Sequence, residues 1–242
     1  MPDLHETLGF KYLLNTKFDR RSIREKERPS IAPGSAFKYY PEAEKIPLPR
    51  RWQKKENNFE KLLQMRRSVR HYSTDSPSMD DLAFLLWSMQ GITAEAGPYL
   101  LRTAPSAGAL YPIETYLAVD RVEGISAGLY HFDVSNFQLA MLTDQSVSSL
   151  VASSALNQGF IAKAAITFIW SAVFRRNMGK YGHRGLRYIF LDCGHICQNL
   201  LLAVKALGLN ACPVAAFYDD EMNDLLDLDG AEESVIYLAP VG

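Results

Sequence analysis

The spacing of apolar residues separates an irregular first part of the chain from a regularly patterned remainder. Residues 1–57 are rich in charge and turn formers, and their closely spaced prolines exclude a long helix there. We interpret this part as an N-terminal extension that wraps around or docks on a domain formed by residues 58–242. Apolar positions at helical spacing begin at about residue 57 and predict a first helix that ends near residue 67.

Capping residues and apolar stripes predict three more helices. Ser78 is followed by two acidic residues and an apolar stripe, and Gly91 ends this second helix. The longest predicted helix covers residues 186–207, about 33 Å at 1.5 Å per residue, and Gly208 follows it as a C-terminal glycine. A short acidic helix begins near residue 219.

Strands are predicted where apolar and polar residues alternate, or where a short run is wholly apolar. The alternation includes a hairpin that turns at residues 135–136. This order of elements, which contains no internal repeat, predicts one α+β domain in which helices, one of them long, flank a mixed central sheet. The predicted strands are 113–119, 128–133, 137–142, 164–172, 209–216 and 234–239.

The composition is that of a globular protein with a substantial core. Of the 242 residues, 48% are hydrophobic and 22% are charged. No apolar run reaches the ~18 residues that a membrane span needs, and the first residues lack the order of a secretory signal, so we expect a cytoplasmic protein without a membrane partner. Cys193, Cys197 and Cys212 lie among apolar residues and are too few for a disulfide framework, so we expect buried thiols.

Charge is unevenly distributed along a chain whose formal net charge is -1. Residues 1–70 hold 17 Lys and Arg against 9 Asp and Glu, so the excess of cations lies in the first third. Clustered cations can bind nucleic acid, but no zinc-finger, RNA-recognition or basic-zipper motif accompanies them. We therefore expect no nucleic-acid partner, while a small phosphate-bearing cofactor stays open.

Residues 66–70 bring three arginines and a serine together where the first predicted helix ends. The guanidinium groups of Arg66, Arg67 and Arg70 and the hydroxyl of Ser68 are suited to phosphate oxygens. The same side chains would equally serve as the basic end of a helix. The pentapeptide alone leaves an anion site and a helix terminus open.

Two further segments could carry chemistry. Small residues at 103–112 let the backbone approach a flat ligand, although the segment fits neither the G-x-G-x-x-G pattern nor a P-loop. Lys180 beside Tyr181 can stabilise a developing anion or move a proton, or the pair can lie in an exposed basic loop.

Polar residues also interrupt the long apolar helix. Asp192, Gln198 and Asn199 could line a site or an interface, whereas we expect His195 in the core, bonded to a neighbour. Cys193, His195 and Cys197 cannot converge on a metal, because helix positions two apart point about 200° away from each other. The sequence also lacks a G-x-S-x-G elbow and an H-E-x-x-H motif, so we expect neither a metal site nor a serine hydrolase.

Taken together, four segments in this order resemble the flavin-dependent nitroreductase superfamily. They are RRSVRHY at 66–72, TAPSAGALYPIE at 103–114, FLDCGHICQNLLLAVKALGL at 190–209 and ACPVAAFYDD at 211–220. Two more, LLWSMQGIT at 85–93 and KYGHRGLRY at 180–188, resemble its SagB-type or McbC-like dehydrogenase branch. The resemblance implies an FMN-dependent oxidoreductase that oxidises azolines to azoles in peptides, and a homodimer with the flavin at its interface.

The resemblance also implies roles for individual residues. Arg66 and Ser68 would hold the phosphate and ribityl end of FMN, and Arg70 would lie near the pyrimidine edge. Lys180 and Tyr181 match a pair beside the flavin and would act as acid and base on the substrate. A loop that contacts the isoalloxazine from the partner subunit corresponds to Pro105, Ser106, Ala107 and Gly108. A segment whose backbone N–H faces flavin N5 corresponds to Pro213, Val214, Ala215 and Ala216.

Two departures from the family pattern affect these expectations. The sequence ends without the basic tail that many nitroreductases place on the flavin phosphate, so Arg184 or Arg187 could take that role. No peptide-recognition domain is evident, so the enzyme could need a cyclodehydratase partner. Two alternatives stay open, a nitro or quinone reductase that uses NAD(P)H and a non-catalytic flavin-binding subunit of a biosynthetic complex.

Overall fold

A six-stranded sheet forms the centre of the structure, a computed structural model that describes residues 4–18, 31–52, 58–97 and 99–242. Its strands are β1 (Glu44–Pro47), β4 (Ile113–Val119), β5 (Gly128–Asp133), β6 (Gln138–Thr143), β7 (Ile166–Val173) and β8 (Glu233–Val241). They lie in the order β1-β6-β5-β4-β7-β8, and β2 (Ile92–Ala96) pairs separately with β3 (Tyr99–Arg102). All these strand pairs are antiparallel, and the parallel pairing that a mixed sheet requires is confined to the isolated bridge between Ser68 and Ala211.

Helices cover both faces of this sheet. They are α1 (Leu8–Asn15), α2 (Phe59–Met65), α3 (Met79–Gln90), α4 (Ser148–Ser154), α5 (Phe174–Tyr181), α6 (Gly185–Ala206) and α7 (Asp219–Leu225). The central strand β4 is buried throughout, and its alternation divides the core. Leu117 packs with α3 and α6 on one face, whereas Tyr116 packs with α4 and α7 on the other.

Several predicted elements are confirmed. Helix α3 begins with a capping box in which Ser78 and Asp81 bond reciprocally, and Gly91 is its C-cap. The long helix α6 is followed by Gly208 at a φ of 77°, the left-handed conformation that glycine adopts without strain. The hairpin of β5 and β6 turns where predicted, because the Asp133 carboxylate accepts hydrogen bonds from Ser135 and Asn136.

Other expectations are wrong. Residues 209–216 do not form a strand; they run beside β8 with isolated bridges at Ala211 and Val214, and Pro213 between them has no N–H to donate. His195 is exposed rather than in the core.

The three cysteines are free and buried, as expected.

The N-terminal extension is part of the fold where the structure describes it. Strand β1 pairs along β6 at the sheet edge, and Leu48 after it is buried. Lys38 forms a 2.7 Å ion pair with Glu233 of β8. Helix α1 has no buried residue and lies against the start of α6 through polar contacts.

One helical stretch, Phe174–Ala206, is long and apolar enough by composition to cross a membrane. Half of its most apolar window is buried inside the protein, as in the core helix of a globular fold.

Candidate active site

The arginine segment, residues 66–70, lies against the chain that follows α6. Ser68 forms a parallel bridge with Ala211, and the Val69 N–H donates to the Ala211 carbonyl at 2.9 Å. On its other side this chain pairs with β8, where Val214 and Leu238 exchange two backbone hydrogen bonds. The fold thus brings together two segments that are about 140 residues apart in the sequence.

The side chains of the arginine segment fit an anion. Among the described residues, neither Arg66 nor Arg70 has a carboxylate partner, and the Arg70 guanidinium lies 5.6 Å from the Phe160 ring centre. The Ser68 hydroxyl is exposed beside them. The Arg67 guanidinium turns back instead and donates to carbonyls at the end of α2. Arg66, Ser68 and Arg70 therefore offer donors to a phosphate or another anionic group.

The next residues along the chain present backbone donors. Ala215 and Ala216 are exposed, and no acceptor for either N–H exists in the described part of the chain. The Ala216 carbonyl is held by the Gln158 amide at 3.1 Å. Small side chains and free N–H groups leave this backbone accessible to a flat polar ligand.

A second cluster forms around residues 103–111, which we call the glycine loop. The Ser106 hydroxyl donates to the Asp192 carboxylate of α6 at 2.6 Å and accepts from the Tyr111 N–H at 2.9 Å. The Ala107 N–H donates to the same carboxylate at 3.3 Å. Asp192 is 4% exposed, and burial raises its pKa against the opposing effects of these hydrogen bonds.

Lys180 and Tyr181, at the end of α5, lie directly over this loop. A Cβ atom added to Gly108 would be 2.5 Å from the Tyr181 hydroxyl and 2.8 Å from the Lys180 amine. The two polar groups therefore converge at a position where the loop has no side chain. Such a pair can hold or move a proton at an atom of a bound molecule.

A buried ion pair holds both the glycine loop and α5 in place. Arg176 of α5 pairs with Glu114 of β4 at 2.6 Å and donates to the Tyr111 carbonyl at 3.1 Å. His131 bonds Glu114 at 2.8 Å. Burial would raise the pKa of Glu114, but Arg176 and His131 hold it at about 2. The ion pair therefore stays formed at neutral pH, one helical turn before Lys180.

Arg184 and Arg187 have other partners than an anion. Arg184 donates to the Thr16 carbonyl at 2.7 Å, and Arg187 donates to the Thr16 hydroxyl and the Leu13 carbonyl. These contacts hold the C-terminal end of α1, where cations are favourable. In this structure the donors of both arginines are engaged within the protein, and the expectation that either one binds a phosphate stays a prediction.

The two clusters contact different parts of the chain around α6. Asp192 meets the glycine loop near the start of α6, and the arginine segment packs beyond its end. From Asp192 to Ala206 the helix rises by about 21 Å at 1.5 Å per residue. Directly before Asp192, the exposed face of α6 carries Phe190 and Leu191, which are 52% and 58% exposed.

This fold and these clusters are those of a nitroreductase-type protein, and the similarity to known proteins agrees with this class. Residues 63–242 match the Nitroreductase family, to which the chain belongs. A nitroreductase-family protein of Methanocaldococcus jannaschii is 37% identical over 77% of this chain and 91% of its own. The trifolitoxin-processing protein TfxB of Rhizobium leguminosarum is 34% identical over 58% of this chain, and the microcin B17-processing protein McbC of Escherichia coli 29% over 53%. The chain spans 39% of TfxB and 49% of McbC.

Solved structures show the same fold. A nitroreductase-type protein from Anabaena variabilis has a TM-score of 0.76 and 26% identity, over 96% of this chain and 45% of its own. A chain of the McbBCD microcin synthetase complex of Escherichia coli with truncated pro-MccB17 has a TM-score of 0.63 and 21% identity, over 83% of this chain and 78% of its own. A nitroreductase-type protein from Desulfovibrio desulfuricans in complex with FMN has a TM-score of 0.52 and 18% identity, over 77% of this chain and 86% of its own. The protein is thus a nitroreductase-superfamily oxidoreductase with McbC and TfxB among its relatives.

Sequence analysis missed part of this arrangement. Glu114 and Arg176 were not singled out, although a lone acid within a strand of otherwise uncharged residues signals a buried partner. Asp192 was noted only as a polar residue on an apolar helix. Its contact with the glycine loop joins residues 86 positions apart, which spacing alone does not reveal.

Proposed function

We propose that this protein is an FMN-dependent oxidoreductase that oxidises azoline rings to azoles and works as a homodimer. One observation carries the proposal: the Lys180 amine and the Tyr181 hydroxyl converge over Gly108, whose missing side chain lets both polar groups lie against the loop. The likeness to proteins named for trifolitoxin and microcin B17 processing supports a peptide-derived substrate.

The residues present fit FMN. Arg66 and Ser68 would bind its phosphate and ribityl end, and Arg70 would face the pyrimidine edge. The segment of Pro213, Val214, Ala215 and Ala216 would meet the ring through the free N–H groups of Ala215 and Ala216. The loop of Pro105, Ser106, Ala107 and Gly108 would contact the ring from the other copy. When bound, FMN supplies a hydride acceptor at its N5 atom.

The separation of the two clusters supports the homodimer. In one chain the glycine loop meets α6 at Asp192, whereas the arginine segment meets the segment that follows α6. A second copy related by two-fold symmetry can place its glycine loop against the first copy's arginine segment. Each flavin site would then use both chains.

In this reaction the side chains of the protein would remove a proton from the substrate. Conversion of an azoline to an azole removes a hydride from one ring carbon and a proton from the adjacent carbon. Lys180 as the neutral amine, or Tyr181 as the phenolate, would take that proton, and the hydride would carry the two electrons to the flavin. The Arg176–Glu114 pair would keep α5, and so both groups, in place.

An anaerobic single turnover tests the proposal. We expect purified protein to carry an oxidised-flavin spectrum, and a thiazoline-containing peptide to bleach it with one azole formed per flavin. Lys180→Ala and Tyr181→Phe should keep the flavin spectrum and slow bleaching by about 10²-fold to 10⁴-fold. Lys163→Ala and Tyr39→Phe are matched controls, because these residues are exposed elsewhere. Wild-type rates in both site variants would refute the acid/base assignment, and a protein that cannot be loaded with FMN would refute the cofactor.

A second function, reduction of nitro or quinone compounds by NAD(P)H, is favoured by the match along 91% of the Methanocaldococcus jannaschii protein. The same anaerobic sample separates the two functions. Rapid bleaching by NADPH without azoline oxidation would favour the reductase, and bleaching by the azoline alone would favour the dehydrogenase.

A cyclodehydratase partner is also proposed, because the fold matches a chain of the McbBCD complex, which was solved with a truncated pro-MccB17. If the chain turns over a free azoline peptide at full rate without any added protein, that partner is unnecessary.

A further inference from the structure

The glycine loop is held in a backbone conformation that it would not adopt by itself. Gly108, Ala109 and Tyr111 all have positive φ, at 67°, 54° and 46°. For Ala109 and Tyr111 this left-handed conformation is unfavourable, because Cβ approaches the following carbonyl. Such strain persists only where surrounding contacts over-determine the backbone.

The Asp192 carboxylate is the point where those contacts meet. It accepts the Ser106 hydroxyl and the Ala107 N–H, which fixes the start of the loop. The Ser106 oxygen accepts the Tyr111 N–H, which ties the end of the loop to the start. One buried side chain of α6 therefore closes the loop around its strained residues.

The opposite side of the loop meets the proton-handling pair. The Arg176 guanidinium holds the Tyr111 carbonyl, and Gly108 faces Lys180 and Tyr181. If the loop relaxed to negative φ, Gly108 would leave this position and the pair would lose the surface against which it is packed.

We propose that Asp192 is a positioning residue that locks the glycine loop in the shape required for flavin binding and for the Lys180–Tyr181 pair. The part of this inference that concerns the flavin rests on the proposed function. Asp192 acts through Ser106 and Ala107 and touches neither substrate nor cofactor.

Asp133 provides a matched control within the same chain. Its carboxylate accepts a serine hydroxyl, from Ser135 at 2.7 Å, and a backbone N–H, from Asn136 at 3.2 Å. The arrangement repeats that of Asp192, but it lies in the β5–β6 turn away from both clusters. Asp133 also accepts the Asn136 and Gln138 side-chain amides, so Asp133→Asn neutralises a carboxylate with at least as many hydrogen bonds without changing a glycine-loop contact.

The first measurement uses the flavin-free protein and so is independent of the proposed function. We expect Asp192→Asn to speed hydrogen exchange at the Ala107 amide and Ser106→Ala to speed it at the Tyr111 amide, each by about 10-fold or more. The first variant replaces the carboxylate acceptor of the Ala107 N–H by a weaker amide, and the second removes the acceptor of the Tyr111 N–H. Asp133→Asn should leave exchange at both amides unchanged. Unchanged exchange in Asp192→Asn would overturn the proposal.

The second measurement is a double-mutant cycle on the Kd for FMN. Each single variant should weaken binding by about 10-fold to 100-fold, and the double variant should be no weaker than the worse single one, since both remove the same contact. Asp192→Asn should also keep its melting temperature, because it removes a buried charge, so lost binding would not reflect lost folding. Fully additive effects, or a Kd like that of Asp133→Asn, would overturn the proposal. If the wild type binds no FMN, the proposed function fails, while the exchange measurement still decides the role of Asp192.

Discussion

Gly108 combines a left-handed backbone with two polar neighbours, so a single methyl group there acts in two ways. Gly108→Ala adds backbone strain of roughly 1 kcal/mol and pushes the Tyr181 hydroxyl and the Lys180 amine from their positions. We expect azoline oxidation to slow by about 10²-fold, the effect of a displacement of about 1 Å at reacting groups. Single-turnover rates measure it.

Gly97→Ala separates the two effects. Gly97 has a similar φ of 58°, but an added Cβ there would meet nothing within 4 Å. We expect this control to lose a comparable amount of stability and to keep the wild-type rate. Equal rates for both variants would show that the contact over Gly108 does not matter for turnover.

Arg175 and Arg176 are adjacent arginines with opposite environments. Arg176 is buried against Glu114, whereas Arg175 pairs with Glu232 at the surface. Arg176→Met should reduce the free energy of unfolding by about 3–5 kcal/mol, because it leaves a buried carboxylate without its cation. Arg175→Met should have no measurable effect, because exposed ion pairs contribute little. Urea denaturation at neutral pH compares them, and similar losses would contradict the assignment of Arg176 as the anchor of α5.

The depressed pKa of Glu114 predicts the acid side of the stability profile. Arg176 and His131 hold this pKa at about 2, below the ordinary 4.5, although burial opposes them. The native state thus binds the proton less tightly than the unfolded chain. The stabilisation is complete above about pH 4.5 and is lost as pH falls towards 2. Glu114→Gln should be less stable at pH 7 and should lose less stability than wild type on acidification. An unchanged acid slope in denaturation curves would contradict this origin.

At the scale of elements, periodicity predicted the helices and strands whose buried residues recur at a regular spacing in the sequence. Helix α3 is buried along a face that its own sequence repeats, and β4 alternates between two buried faces, so the positions of both were predicted correctly. Strand β1 was missed, because four residues ending in a proline at a sheet edge carry no alternation. Helix α5 was missed because its sequence, FRRNMGKY, is mostly polar, and its buried arginine needs a partner from another strand.

Helix α1 depends on its docking contacts. With eight residues and none buried, it is too short to be stable alone. The double variant of Arg184→Ala and Arg187→Ala removes the donors that hold Leu13 and Thr16. We expect hydrogen exchange across α1 to rise by at least about 10-fold while the core strands stay protected.

Arg50→Ala is the control for this release, because its guanidinium bonds the Asn136 carbonyl at the β5–β6 turn. It should leave exchange in α1 unchanged. If α1 keeps its protection in the double variant, contacts other than these arginines hold it.

At the scale of the whole molecule, the candidate site could be predicted only in pieces. The arginine segment and the glycine loop were recognised by residue type, and the structure shows which segments each one meets. The positions of these two segments relative to α6 depend on how the helix crosses the fold, and a short sequence pattern does not predict that. The same holds for Gly108, whose two polar neighbours come from a helix 72 residues further along the chain.

The exposed apolar face of α6 gives the most direct test of the proposed homodimer. Leu191 is 58% exposed next to Asp192, and burying such a side chain contributes roughly 1.5–3 kcal/mol in each copy. Leu191→Lys should therefore yield monomers in sedimentation velocity, and FMN binding should fall with dimerisation, because neither cluster is complete alone. Leu150→Lys is the matched control, since Leu150 of α4 is 56% exposed on a different helix, and it should stay dimeric with FMN bound. A monomeric Leu191→Lys variant that binds FMN as tightly as wild type would show that one chain forms the whole flavin site.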